Sequence, residues 1–118
     1  EPTVVDLLSE GLRRVGYLVD CASTKTELLE SIHREKPAAI LMDVGMPGED
    51  GISICRDLRH AEETRDIPVI IVTAFDDEIT RNDAFLFGAN EFVTKPFTIP
   101  EIQKIIEKCT IKPDSFEK

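Results

Sequence analysis

Hydrophobic positions in this chain fall into two kinds of stretch that take turns along its length. In one kind they recur every three or four residues, the spacing of a helix with one buried face. In the other they run unbroken, as in a strand covered on both sides. The helical spacing predicts a helix over 3–15, with Val4, Val5, Leu8, Leu12 and Val15 inward, stopped by Gly16. A short strand is predicted over 17–21. Thr24, with Glu27 three residues on, reads as a capping box opening a helix. Its Leu28, Leu29 and Ile32 face inward, and Pro37 prevents its continuation. A buried strand over 38–43, a loop over 44–51 and a helix from Ile52 to about His60 follow, the helix turning Ile52, Cys55 and Leu58 inward. After a polar connection at 62–66 comes the most apolar run, Pro68 to Thr73, whose β-branched residues predict a fully buried parallel strand. A helix over 78–87 ended by Gly88, a strand over 91–94 and a last helix over 98–109 complete the pattern. That last helix opens on a second capping box, Thr98 with Glu101, and carries a stripe of Ile99, Ile102, Ile105, Ile106 and Cys109. Residues 110–118 are polar, include Pro113, and read as a linker or frayed end.

Strands alternating with helices of this length imply β–α–β units, and hence a parallel sheet with right-handed crossovers. The chain of 118 residues suits one domain with a single core, and 42% hydrophobic with 31% charged residues is an ordinary globular balance. Charge narrows the function classes further. A net charge of −9 argues against a nucleic-acid partner for this chain, since phosphate backbones are gripped by clustered Lys and Arg, and it disfavours an anionic membrane surface. No apolar stretch approaches the ~20 residues that span a bilayer, and no signal-peptide pattern is visible. Cys21, Cys55 and Cys109 are odd in number and scattered without C-x-x-C spacing, which reads as reduced core or half-buried thiols in a cytoplasmic protein.

The candidate chemistry sits where the apolar runs end. Asp43 closes Ala39-Ile40-Leu41-Met42 and opens into a loop containing Gly45, Pro47, Gly48 and Gly51. Open α/β sheets place their ligands at such strand exits. Thr73 ends the second run, and Lys95-Pro96 follows the third. A carboxylate, a hydroxyl and an amine at three successive strand ends suit a phosphoryl group carried on aspartate. Taken singly, each has a plainer reading: an aspartate as a turn or cap residue, a threonine as a good strand former, a lysine as a solvated charge.

Taken in order, Leu41-Met42-Asp43 with Met46-Pro47 and Gly51, then Thr73-Ala74, then Lys95-Pro96-Phe97, resemble the receiver domain of two-component response regulators. The resemblance extends over essentially the whole chain. It implies a flavodoxin-like, doubly wound parallel sheet in a three-layer sandwich, strand order 2-1-3-4-5, with four of five strands in this sequence. The receiver domain would span 1–109 and the tail 110–118. The family's first strand, with the acidic pair at its end, would precede Glu1, so the sequence is expected to omit an N-terminal stretch; a truncated or strand-swapped protein is the other reading. Without that central strand, ladder groups on both neighbours would be left unpaired.

The resemblance also implies roles. Asp43 would be the phosphoacceptor, with Thr73, the backbone N–H of Ala74 and Lys95 holding the phosphoryl oxygens. Lys95–Pro96 would be a cis peptide. Mg²⁺ would be held by Asp43, the backbone carbonyl of Gly45 and the acidic pair, with Glu1 a weak substitute, and the site weakened if the pair is absent. Phe92 would be a switch aromatic, coupled to Thr73, that repacks the face formed by 78–109; its plain reading is a core residue. Partners would be a histidine kinase or phosphotransfer protein, an output domain or protein on the 78–109 face, and a second copy in a homodimer. The chain would be a signalling domain, at most phosphorylating itself from small donors and dephosphorylating itself. A second reading is a receiver-like module that works by contact without phosphate, as absence of the acidic pair would require. A haloacid-dehalogenase-type phosphatase would need a second acid where Gly45 stands, and nothing suggests the flavin of a flavodoxin.

Overall fold

In the computed structural model, which describes residues 4–43, 51–73, 82, 85–86 and 88–110, the chain forms two units, Glu1–Pro37 and Ala38–Lys118. The first unit holds helices α1 (Val4–Arg14) and α2 (Lys25–Arg34). Leu8 and Leu12, one helical turn apart, are buried, whereas Leu7 and Val15 are exposed. The α1 helix ends in a Schellman motif. The N–H of Tyr17 donates to the carbonyl of Leu12 (3.1 Å) and that of Gly16 to Arg13 (3.1 Å). Gly16 takes φ +104°, a conformation that costs a side-chain-bearing residue dearly.

Thr24 caps α2, its hydroxyl accepting from the Glu27 N–H (3.1 Å). The Glu27 carboxylate reaches one residue further back than a standard capping box, to the N–H of Ser23 (2.7 Å). Between the helices, the strand expected over 17–21 does not form. A strand needs a ladder partner, and among the described residues none pairs with this segment. Its polar groups are used locally instead. Arg13 donates to the Val19 carbonyl (3.0 Å), and the Asp20 carboxylate accepts from the Cys21 N–H (3.0 Å), from the Ser31 hydroxyl and from Arg34 (2.9 Å). The described residues therefore hold three strands rather than four, and Leu18 stands 96% exposed.

The second unit is built on a parallel sheet of β1 (Ile40–Asp43), β2 (Val69–Thr73) and β3 (Glu91–Thr94), in the order β1-β2-β3. Helix α3 (Gly51–His60) lies between β1 and β2 in sequence, and α4 (Ile99–Thr110) follows β3. Val69, Ile70, Ile71 and Val72 of the middle strand are wholly buried, as an unbroken apolar run requires when both faces of a parallel sheet are covered. Cys55 and Leu58 of α3, Ile102 and Ile106 of α4, and Ile67 ahead of β2 are also buried. The connection before β2, read from sequence as polar, closes on a buried Thr64 whose hydroxyl donates to the Leu58 carbonyl (2.6 Å). At the start of α4 the capping box is complete. The Glu101 N–H donates to the Thr98 hydroxyl (3.3 Å) and the Thr98 N–H to the Glu101 carboxylate (2.9 Å). Of the helix expected over 78–87, the described residues Asn82, Phe85 and Leu86 are helical, and Gly88 follows with φ +107°. No helix among the described residues is long and apolar enough to cross a membrane.

Candidate functional site

Parallel pairing sets which residues share an edge of the sheet. Asp43 stands level with Val72, and Thr73 level with Thr94. Asp43, Thr73 and the Thr94–Lys95 step are thus brought to one edge, at the carboxyl ends of three adjacent strands. Neighbouring strands lie about 4.8 Å apart, so groups on three of them fall within reach of a ligand of phosphate size. The Lys95–Pro96 bond is cis, and Lys95 is half-buried. The backbones of Asp43 and Thr73 belong to this edge; their side chains, together with Glu1, Gly45 and Ala74, lie outside the described residues.

Phe92 is buried on β3, its ring centroid 6.5 Å from that of Phe85 at an interplanar angle of 38°. Phe85 is itself 44% exposed and Leu86 77%, so the pair runs from the core to the surface. Among the described residues no three His, Cys, Asp or Glu side chains come together in a way that could hold a metal ion. Those residues do not by themselves fit a magnesium ion.

The opposite edge is closed by a polar cluster that sequence reading did not single out. Arg59, in the last turn of α3, donates Nε to the Gly88 carbonyl (2.7 Å) and Nη1 to the carbonyls of Arg65 and Ile67 (2.7 Å each). Its Nη2 donates to Asn90 Oδ1. Asn90 in turn binds the first residue of β2 twice: its N–H donates to the Val69 carbonyl (2.8 Å), and its Oδ1 accepts from the Val69 N–H (2.9 Å). Both polar main-chain groups of a wholly buried residue are thereby satisfied. The one local signal was the position of Arg59, four residues after Cys55, which puts a charge beside an otherwise apolar stripe.

Two of the cysteines are shifted away from reactivity. Burial pushes the Cys55 thiol above its ordinary value against the opposing pull of Arg59. Burial, then the Glu91 carboxylate, pushes Cys109 the same way. Both are held as neutral thiols and are poor nucleophiles. All three cysteines are free, and Cys21 is exposed rather than half-buried.

A family model described as the response regulator receiver domain matches residues 1–107. Similar solved structures include the receiver domain of sensor histidine kinase PA1611 from Pseudomonas aeruginosa, which has a magnesium ion coordinated in its active-site cleft. It is 31% identical over 93% of this chain and 92% of that one, with a TM-score of 0.79. The signal receiver domain of a signal transduction histidine kinase from Syntrophus aciditrophicus is 28% identical over 93% of this chain and 83% of that one, TM-score 0.81. The BeF3-activated N-terminal receiver domain of Klebsiella pneumoniae RstA is 25% identical over 95% and 93%, TM-score 0.81.

Proposed function

This chain belongs to the response regulator receiver family, a signalling domain of two-component systems rather than a catalytic enzyme, and on that premise we propose that it presents a protein-contact face whose state is set by a phosphoryl group on Asp43. The observation that carries this reading is the register of the sheet, which brings Asp43, Thr73 and Lys95 to one edge. A carboxylate oxygen of Asp43 attacks phosphorus, the bond from phosphorus to the donor's nitrogen or oxygen breaks, and an acyl phosphate forms as the donor leaves with the electron pair. The Thr73 hydroxyl and the Ala74 N–H donate to phosphoryl oxygens, and the Lys95 amine offsets their charge. The donor is a histidine kinase or a phosphotransfer protein, as two of the similar structures are themselves receivers of histidine kinases. The responding face is formed by 78–109, where Phe92 is buried against a partly exposed Phe85. It would take an output domain, an output protein or a second copy. The proposed receiver domain spans 1–109, and α4 runs one residue past that boundary, to Thr110.

A second reading keeps the contact face and dispenses with phosphate. The observation favouring it is that the described residues assemble no metal-holding group, and on those residues alone it is the better supported. Mg²⁺ would join the first reading through Asp43 and the Gly45 carbonyl, with Glu1 at most a weak further ligand. Family membership leaves no support for a haloacid-dehalogenase-type phosphatase.

Incubation with acetyl phosphate and Mg²⁺, read as intact mass beside an Asp43→Asn control, separates the two readings. Gain of one phosphoryl group, lost in the control, is the expected result. No gain in the wild type leaves contact without phosphate.

A further inference from the structure

The polar cluster at the far end of the sheet has no part in the chemistry above, yet its geometry bears on where that chemistry is placed. We infer that Arg59 is a positioning residue: by orienting Asn90 it fixes the register at which β3 starts, and so places Lys95 at the other end of the strand. The functional half of this inference rests on the phosphoryl reading of Lys95; the structural half does not.

A guanidinium carries donors only, so an amide facing it must present its oxygen. That same oxygen of Asn90 takes the N–H of Val69, which is wholly buried. The reversed amide would set donors against both Arg59 and Val69. Arg59 therefore selects the orientation that locks Asn90 to β2, and its bond to the Gly88 carbonyl holds the turn before it. The β3 strand is four residues long. A slip of one residue would exchange its faces, turn Phe92 outward and carry Lys95 about 3.3 Å along the strand. The ion pair of Glu91 with Lys108 (2.8 Å) is exposed on the lysine side, which makes it a weak guard of register. Lysine at position 59 could not serve, because one ammonium cannot meet four acceptors fixed in the plane of a fork.

The test compares the full chain with R59K, N90A and N90D, each at a temperature where circular dichroism shows it folded. Two quantities are read: the NMR amide resonances of Thr94 and Lys95, and the rate of Asp43 phosphorylation by acetyl phosphate. R59K and N90A should displace both resonances and slow labelling about tenfold or more, as misplacement of a charge by an ångström or more does. N90D should retain wild-type values in both, since its carboxylate offers oxygen to both donors. If R59K and N90A lower the melting temperature yet leave resonances and rate unchanged, Arg59 is a structural residue only and the inference falls. Displaced Thr94 and Lys95 resonances in N90D overturn it as well. If the wild type takes no phosphate, the phosphoryl reading has failed separately. The resonances alone then decide for or against Arg59.

Discussion

The two edges of the parallel sheet are held by different means. At the carboxyl edge, β1 and β2 run from apolar residues to an aspartate and a threonine, and Lys95 follows the last residue of β3. At the amino edge, one arginine ties together a helix end, a connection and a turn through three backbone carbonyls and one amide. The first edge gathers groups suited to an incoming ligand; the second spends its polar groups on the chain itself. If Arg59 sets the register of β3, the amino edge fixes the strand and leaves the carboxyl edge to the proposed phosphoryl chemistry.

Asp43→Asn gives the largest effect expected at the carboxyl edge: complete loss of phosphoryl gain in the intact-mass measurement. The melting temperature should move little, because the amino edge is untouched. A large fall in stability would mean that Asp43 holds the fold together, and the division of labour between the edges would break.

Gly88→Ala tests the other edge. An added Cβ would lie 2.3 Å from Arg59 Cγ, near the base of a side chain tethered at its tip, and the residue sits at φ +107°. Arg59 could make room only by giving up some of its bonds. Backbone strain and overpacking together should cost about 3 kcal/mol in chemical denaturation. Gly16→Ala is the matched control. Its φ of +104° is nearly the same, but nothing lies within 4 Å of the added Cβ, so the expected loss is the conformational part alone, about 1 kcal/mol. Equal losses at the two positions would show that contact with Arg59 contributes nothing.

The carboxyl ends of β1 and β2 were legible in the sequence because their signals are local: an apolar run and the residue that ends it. The α4 cap was legible for the same reason, since Thr98 and Glu101 are three residues apart and satisfy each other. The α2 cap was legible in part, with the Glu27 carboxylate taking the N–H of Ser23, one residue further back than expected. Residues 17–21 misled because apolar character suggests a strand but cannot supply the neighbour that makes one. The amino edge was hidden by distance. Arg59 meets Gly88 and Asn90 across 29 and 31 positions, and no periodicity connects them.

The smallest expected effect lies one helical turn from Arg59, at Cys55. Burial raises its thiol above the ordinary value of 9.0, while the nearby guanidinium pulls it down. Burial of this side chain on the inner face of α3 outweighs the pull of the neighbouring charge. In the unfolded chain the thiol ionises near its ordinary value, whereas in the fold it keeps its proton to higher pH. Between those two values the folded state binds more protons, so this contribution to stability is complete below pH 9.0 and lost as pH rises above it. Denaturation midpoints measured at about pH 8 and about pH 10 should therefore fall further in the wild type than in Cys55→Ala. Part of the fall should persist in the variant, because Cys109 is shifted in the same direction. An equal fall in both proteins would mean that the thiol ionises as readily in the fold as in the unfolded chain, and that water reaches the helix face beside Arg59.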